Sequence, residues 1–459
     1  MKKALIIFLI LIITSGGARG QKLDAQSFGF DEADTEISGG SAGALKVSIE
    51  GEISTSVTGY IMDFSDGADH VTLGDFFAGS LNFSAKSSFA EGVINLNISP
   101  DESPVQADEA YLHAFFGKFD IEAGLRKLTW GKADSFGPLD VINPLDSSEI
   151  FTEMADNISL MGAKIARPLV HAALRFGKYS KIEAVFVPNF TPARFAAEGR
   201  WAPGPAPFQR KLLEQAAAMS MTAGIEIDLD LEPSAPDTGT VDYAQTGLRF
   251  TTTIGSSDIG VQYYYGRLFQ PSVKLNFFPV PSAQYLYNPY HQIGLDYAQV
   301  LLGFNVRAEF AANITEDLKG DDGSVYNPSL AWSLGFDRDL FMGINLNLQV
   351  NETIRLLNDK VGGTNLFTGR FDIEDGMPLT ATRLTSTITK RFLRDTLELR
   401  AAVVWGIEDG DCAVMPALIW TNDDVRIAFS GGFFMGDEKG QLGQYKDNHF
   451  LKLSISYAF

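Results

Sequence analysis

The densest set of residues that could do chemistry is the stretch "EAGLRKLTWGKADSFGPLDVINPLD", Glu122 to Asp146. Arg126 and Lys127 close an alternating segment, and Trp130, Asp134, Asp140, Asn143 and Asp146 follow within a loop rich in Gly and Pro. A fixed guanidinium facing carboxylates makes a local field that orients and sorts small solutes. The same charges could pin the loop to a wall or build a dedicated binding site, and the spacing leaves all three open. The loop also carries Leu139, Val141, Ile142 and Leu145. It is too apolar to dangle in water, so the expectation is that residues 129–156 fold inward.

Other chemistry is poorly represented. The five histidines (70, 113, 171, 291 and 449) show no HxxxH or HExxH spacing, and no GxSxG element occurs. His113 and Glu109 share one face of a strand, but no enzyme, metal site or cofactor is expected. The acidic run Glu316–Ser324 lacks the ligand spacing of a calcium loop. Cys412 stands alone, so no intrachain disulfide forms.

The elements that must position these residues are strands. "LKVSIEGEISTSVTGYI" sets Leu45, Val47, Ile49, Ile53, Val57 and Ile61 on one face and Lys46, Ser48, Glu50, Glu52, Ser54, Ser56 and Thr58 on the other. "GFNVRAEFAANI" opposes Phe304, Val306, Ala308, Phe310 and Ile314 to Asn305, Arg307, Glu309 and Asn313. "INLNLQVN" opposes Ile344, Leu346, Leu348 and Val350 to Asn345, Asn347, Gln349 and Asn351. One face suits lipid and the other water. Glu50, Glu52, Arg307, Glu309, Asn345, Asn347 and Gln349 are therefore expected to line a lumen.

Segments of this length suit the 9–11 tilted residues of a membrane strand better than the 5–6 of soluble sheets. Polar turn signals at Lys86, Gly117, Gly177, Gly255, Asp337, Asp395 and Asn422 alternate with longer loops near 64–72, 100–107, 129–156, 190–239, 268–288, 315–328, 357–377 and 437–446. A spanning sheet must close, because an open edge in lipid leaves backbone groups unpaired. The expected fold is all-β, a closed antiparallel transmembrane barrel of about 18 strands, with 16 as the fallback. Two places are soft: the apolar "YAQVLLG" as a turn, and Pro168 inside a strand.

The ends of the sequence give the compartment. Lys2 and Lys3, the apolar run Ala4–Ile13 and the small residues Ala18 and Gly20 have the order of a secretory signal peptide, residues 1–20. The apolar run is too short for the ~20 residues of a membrane helix. Residues 21–42 form a flexible lead-in, and 43–459 the barrel. Removing Lys2, Lys3 and Arg19 takes the net charge from −20 to −23, which argues against nucleic-acid partners.

The terminal alternation "FLKLSISYAF", ending on Tyr457 and Phe459, resembles the strand that the outer-membrane insertion machinery reads on bacterial barrels. The Arg-Lys strand end, Trp-Gly, and Asp-Val-Ile-Asn-Pro-Leu-Asp resemble an uncharacterised porin-like family of Gram-negative outer-membrane barrels, matching at Arg126, Trp130, Gly131, Asp140, Asn143, Pro144 and Asp146. "FVPNF", Phe186 to Phe190, resembles that family's next strand end. The resemblance implies a porin-like barrel and no particular substrate. Expected partners are outer-membrane lipids, the insertion machinery and small hydrophilic solutes, with a homo-oligomer open. The acidic excess hints at a weak cation preference. A transporter of hydrophobic substrates, like the long-chain fatty-acid transporters, or a non-conducting adhesion barrel are the alternatives. In loop 190–239, "FQRKLLEQAAAMSM" has helical composition and would lie over the mouth.

Overall fold

The computed structural model describes residues 45–61, 71–72, 77–99, 104–223, 233–276 and 282–459. The expected signal peptide and lead-in, and parts of several long loops, lie outside these residues. Eighteen strands form one closed antiparallel barrel: β1 Lys46–Tyr60, β2 Ala78–Lys86, β3 Ala90–Ile98, β4 Val105–Phe116, β5 Phe119–Arg126, β6 Arg167–Phe176, β7 Ser180–Val187, β8 Gln245–Ile254 and β9 Ser257–Arg267 make the first half. The second half is β10 Pro289–Leu301, β11 Phe304–Thr315, β12 Ser329–Asp339, β13 Ile344–Arg355, β14 Thr380–Phe392, β15 Leu397–Gly406, β16 Asp411–Asn422, β17 Val425–Met435 and β18 Phe450–Ala458. Each strand pairs with its sequence neighbours, and β1 closes the ring on β18 from Glu52↔Ala458 to Tyr60↔Phe450. Gly51 and Phe459 extend that seam by exchanging two backbone hydrogen bonds.

The alternation read from the sequence fixes which face points where. Val47, Ile49, Ile53 and Val57 on β1, Phe310 on β11, and Leu451, Leu453, Ile455 and Tyr457 on β18 all project outward and stay exposed. So many exposed large apolar side chains on one surface are far more than a soluble monomer tolerates. They form the outward band that contact with lipid requires.

One end of the barrel has tight turns. The apolar turn is one of them: Leu301 pairs with Phe304, and both Leu302 (φ 52°) and Gly303 (φ 81°) are left-handed, as a two-residue hairpin requires. Pro168 is accommodated because Arg167 to Leu169 pair in register with β5, while pairing with β7 begins only at Val170. Two details differ from the sequence expectation. The turn expected at Asp337 falls later, at Leu340–Gly343, because Asp337 and Asp339 continue β12 and pair across to Asn305 and Asn345. A ninth long-end connection, 407–410, was not foreseen; it is only four residues, turned by Gly410 (φ 62°).

At the other end the long connections fold back on the barrel. The β5–β6 connection holds helix α1, Ile150–Asp156, and the β7–β8 connection holds α2, Pro207–Ala223. The β9–β10 connection contains a small hairpin, Ser272–Asn276 with Ser282–Leu286. Phe208 and Leu212 of α2 pack with Val273 and Ala283 of that hairpin and with Ile373. Lys211 pairs with Asp375 at 2.6 Å, and Gln215 exchanges hydrogen bonds with Thr364 and Leu366. The helical segment read from "FQRKLLEQAAAMSM" thus lies among the long-end loops, with Leu212 and Ala216 buried and Leu213 exposed.

Candidate functional site

The β5–β6 connection enters the lumen and makes most of its polar contacts with side chains at lumenal strand positions. It leaves β5 as a finger. Trp130 buries among Ile142, Leu169, Val185, Val187, Tyr264 and Tyr290. The backbone N–H groups of Lys132 and Ala133 (2.7 Å) then donate to one oxygen of Glu309, and that of Leu139 (3.2 Å) donates to the other. A Cβ on Gly131 or Gly137 would strike the Glu309 carboxylate, at 2.3 and 2.7 Å, so both positions need glycine for the finger to approach β11.

At the tip, Gln349 accepts from Asp134 N–H at 3.0 Å and donates to Phe136 C=O at 2.9 Å. The Asp134 carboxylate receives Arg307 (2.5 Å) and Asn347 (2.8 Å), and Arg307 also reaches Asp337. On the return, Gln292 and Gln262 donate to the carbonyls of Pro138 and Leu139, both at 3.0 Å.

Past the finger the chain continues to the wall formed by β15–β18. α1 packs Ile150, Met154 and Ala155 against Ala402, Val404, Ala413, Met415 and Phe434, together with Trp201, Leu442, Tyr445 and Phe450. Its C-terminal carbonyls are orphans of the helix. Arg400 donates to Ala155 C=O and Arg426 to Asp156 C=O, each at 2.7 Å, while the Asp156 carboxylate meets Ser430 (2.6 Å) and Lys452 (2.8 Å).

The residues singled out in the sequence fall into three groups. Asp134, Arg307, Glu309, Asn347 and Gln349 come together around the finger, although 173 residues separate Asp134 from Arg307. Asn345 lies next to them on β13 and donates to Asp339 at 2.9 Å. Asp140 and Asn143 hold the loop to itself, and Asp146 ties it to the β7–β8 connection. Asp140 pairs with Lys164 at 2.6 Å. Burial pushes its carboxyl up from the usual range, with Lys164 opposing. Asn143 caps three backbone groups, those of Leu128, Arg126 and Ile165. Asp146 accepts from Arg194 at 2.6 Å and from Ser148.

Arg126 corrects a specific expectation. It does not face the loop carboxylates. It pairs with Glu109 (2.8 Å) and Glu122 (3.4 Å) on its own hairpin and stacks over Tyr111, because those strand neighbours reach it first. Lys127 is buried against Asp108 at 2.7 Å. Sequence reasoning missed Lys164, Gln262, Gln292, Arg400, Arg426 and Lys452. All but Lys164 sit at lumenal strand positions that alternation alone could have flagged.

The wall left bare of this loop, among the described residues, is β1 to β3, since Lys127 already bonds Asp108 and Glu109 of β4. Glu50 pairs in register with Asn82, Asn82 with Asn95, and Asn95 with Glu109, making one lumenal row across four strands. Asn95 donates to Glu109 at 3.0 Å. Glu52, Ser80 and Asn97 form a second row. Glu50, Glu52, Ser80, Asn82 and Asn97 are exposed.

No family model matches the sequence, nor does any curated protein. Solved structures do match. A BenF-like porin from Pseudomonas fluorescens Pf-5 aligns with TM-score 0.50 at 8% identity, over 90% of this chain and 98% of that one. OccK9 (OpdG) of Pseudomonas aeruginosa aligns with TM-score 0.48 at 10% identity, over 90% and 98%. At 8% identity the likeness to the BenF-like porin speaks to the fold alone, a closed β-barrel of porin type.

Proposed function

We propose that this chain is a porin-like channel in the outer membrane of a Gram-negative-type bacterium, passing small hydrophilic solutes by passive diffusion. The observation that carries the reading is the lopsided filling of the lumen. One connection crosses it and is fastened to β9–β11, β13 and β15–β18, while the polar wall β1–β3 stays uncovered among the described residues. A loop arranged this way narrows a water-filled passage to an eyelet against Glu50, Glu52, Asn82 and Asn97. Its mechanism is filtration by size and charge rather than catalysis.

The eyelet's wall carries Glu50, Glu52 and Glu109, and Arg126 answers only the last of these at close range. That supports a weak preference for cations. A channel for hydrophobic substrates is the less favoured alternative, because the apolar lumenal patch on β15–β17 is already filled by α1, Trp201 and Tyr445.

The test is single-channel conductance and reversal potential of the refolded barrel in a planar bilayer under a KCl gradient. Ohmic steps with a cation-shifted reversal potential are expected. A folded but silent barrel overturns the channel, and a non-conducting surface role becomes the reading to pursue.

A further inference from the structure

A second polar site lies away from the lumen, where three long-end connections meet. A cavity of about 560 Å³ is lined by Lys274 and Leu275 of the loop hairpin, Gly320–Ser324, and Lys360 and Gly369–Asp372 of the β13–β14 connection. Its volume falls within the range of small-molecule sites.

The rim is built by the loops' own hydrogen bonds. The Asp317 carboxylate accepts from the N–H groups of Lys319, Gly320 and Asp322. Its pKa is lowered: desolvation works the other way, but those donors outweigh it. Ile373 N–H bonds Gly323 C=O at 2.9 Å, and a Cβ on Gly323 would lie 2.3 Å from Phe371 C=O. The two connections therefore touch backbone to backbone.

The charges that line the cavity are not matched to each other. Asp372 accepts from Gly362 N–H (2.7 Å) and Glu374 N–H, and Asp322 accepts from Ser324. Lys274 and Arg370 are exposed and make no ion pair among the described residues. Among the described residues Lys360 pairs only with its neighbour Asp359, at 3.5 Å, and both are more than half exposed. Leu275 and Phe371 add apolar lining. Phe367, 72% exposed, stands three residues before Arg370.

We propose that this cavity binds an acidic saccharide, a sugar carrying a phosphate or carboxylate. Lys274 and Arg370 take the anionic group, since an unpaired guanidinium and ammonium are the groups that hold such oxygens. Asp321 and the glycine-rich backbone meet hydroxyls, and the apolar lining meets the sugar's C–H face. The inference rests on the proposed function only in taking the long-loop end as the outward one. The saccharide has two possible sources, glycolipid headgroups of the same membrane or soluble acidic sugars.

The test uses the full refolded barrel in micelles and saturation-transfer NMR, with glucose 1-phosphate and galacturonic acid against glucose and galactose. Saturation of the charged sugars only is expected. Lys274→Gln with Arg370→Gln should weaken it about tenfold or more, with bilayer conductance unchanged. Lys274→Arg with Arg370→Lys should keep it. Displacement by vesicles of lipopolysaccharide identifies the membrane source, and persistence identifies the soluble one. Equal transfer to neutral sugars, no transfer to charged ones, or an unaffected double Gln variant overturns the proposal. A silent bilayer with a bound charged sugar overturns the channel and leaves the cavity standing.

Discussion

The two sides of the lumen solve the same problem in opposite ways. On β9–β11, β13 and β15–β18, long lumenal side chains are buried or half-buried, and they are matched to loop backbone: Gln262, Gln292, Glu309 and Gln349 to the finger, Arg400 and Arg426 to the end of α1. On β1–β3, residues of similar polarity are left exposed or matched to their strand neighbours. The difference shows that lumenal polarity does not by itself mark a passage. Long polar side chains on a strand can be a docking strip for a peptide segment. A passage is marked by short polar and acidic residues left exposed.

The largest expected effect comes from the filled side. Lys164→Met leaves the part-buried Asp140 carboxylate without its partner. Breaking a fully buried pair costs about 3–5 kcal/mol and this one less, so thermal or urea unfolding in micelles should still show a loss. If stability is unchanged, the loop is not fastened as described. Glu309→Gln comes next. It sets an amide NH₂ against backbone N–H donors and forfeits about 1.5–3 kcal/mol for a charged hydrogen bond. The finger should loosen, with conductance rising and becoming noisy.

Glu50→Gln with Glu52→Gln tests the bare side. Exposed substitutions shift stability by no more than about 0.5 kcal/mol, so only the reversal potential should move, toward anions. A stability loss there would mean that this wall is packed after all.

The smallest effect is at the loop cap. Burial raises the Asp375 carboxyl, but the hydrogen bonds from Lys211 and Thr364 outweigh it and hold it below the usual range. Its contribution is present above the ordinary carboxylate pKa and is lost as pH falls through the lowered value. Tethering of α2, followed by hydrogen exchange at Gln215, should therefore persist at pH 5 and weaken only near the acid limit. Asp375→Asn should weaken it at every pH.

Much of the barrel was legible because its rule is local. A side chain's direction depends on parity alone, so Val47 against Glu50 or Phe310 against Glu309 could be placed without knowing any partner. Partners were another matter. Arg126 finds Glu122 four residues away on its own strand, whereas Asp134 finds Arg307 through the curvature of the whole barrel, which no local pattern encodes. One signal was available and unused. "AAVVW" in β15 and "CAVMPALIW" in β16 do not alternate, and a strand apolar on both faces is buried on both. Something apolar had to fill the lumen there, and it is α1.

The closing seam carries a kinetic consequence. Every other pairing in the ring joins strands adjacent in sequence, but Glu52 must meet Ala458, and a ring of Phe459 lies where a Cβ on Gly51 would stand. Loop-closure entropy grows by about 0.6 kcal/mol for each doubling of length, so this contact is the most expensive in the molecule to find by chance. Seventeen junctions join strands adjacent in sequence and can zip locally; the eighteenth needs β1 and β18 brought together. Until then two strand edges stay unpaired, and the chain in that interval behaves as an aggregation-prone open sheet. What keeps those two edges apart from other chains governs how much barrel is ever formed.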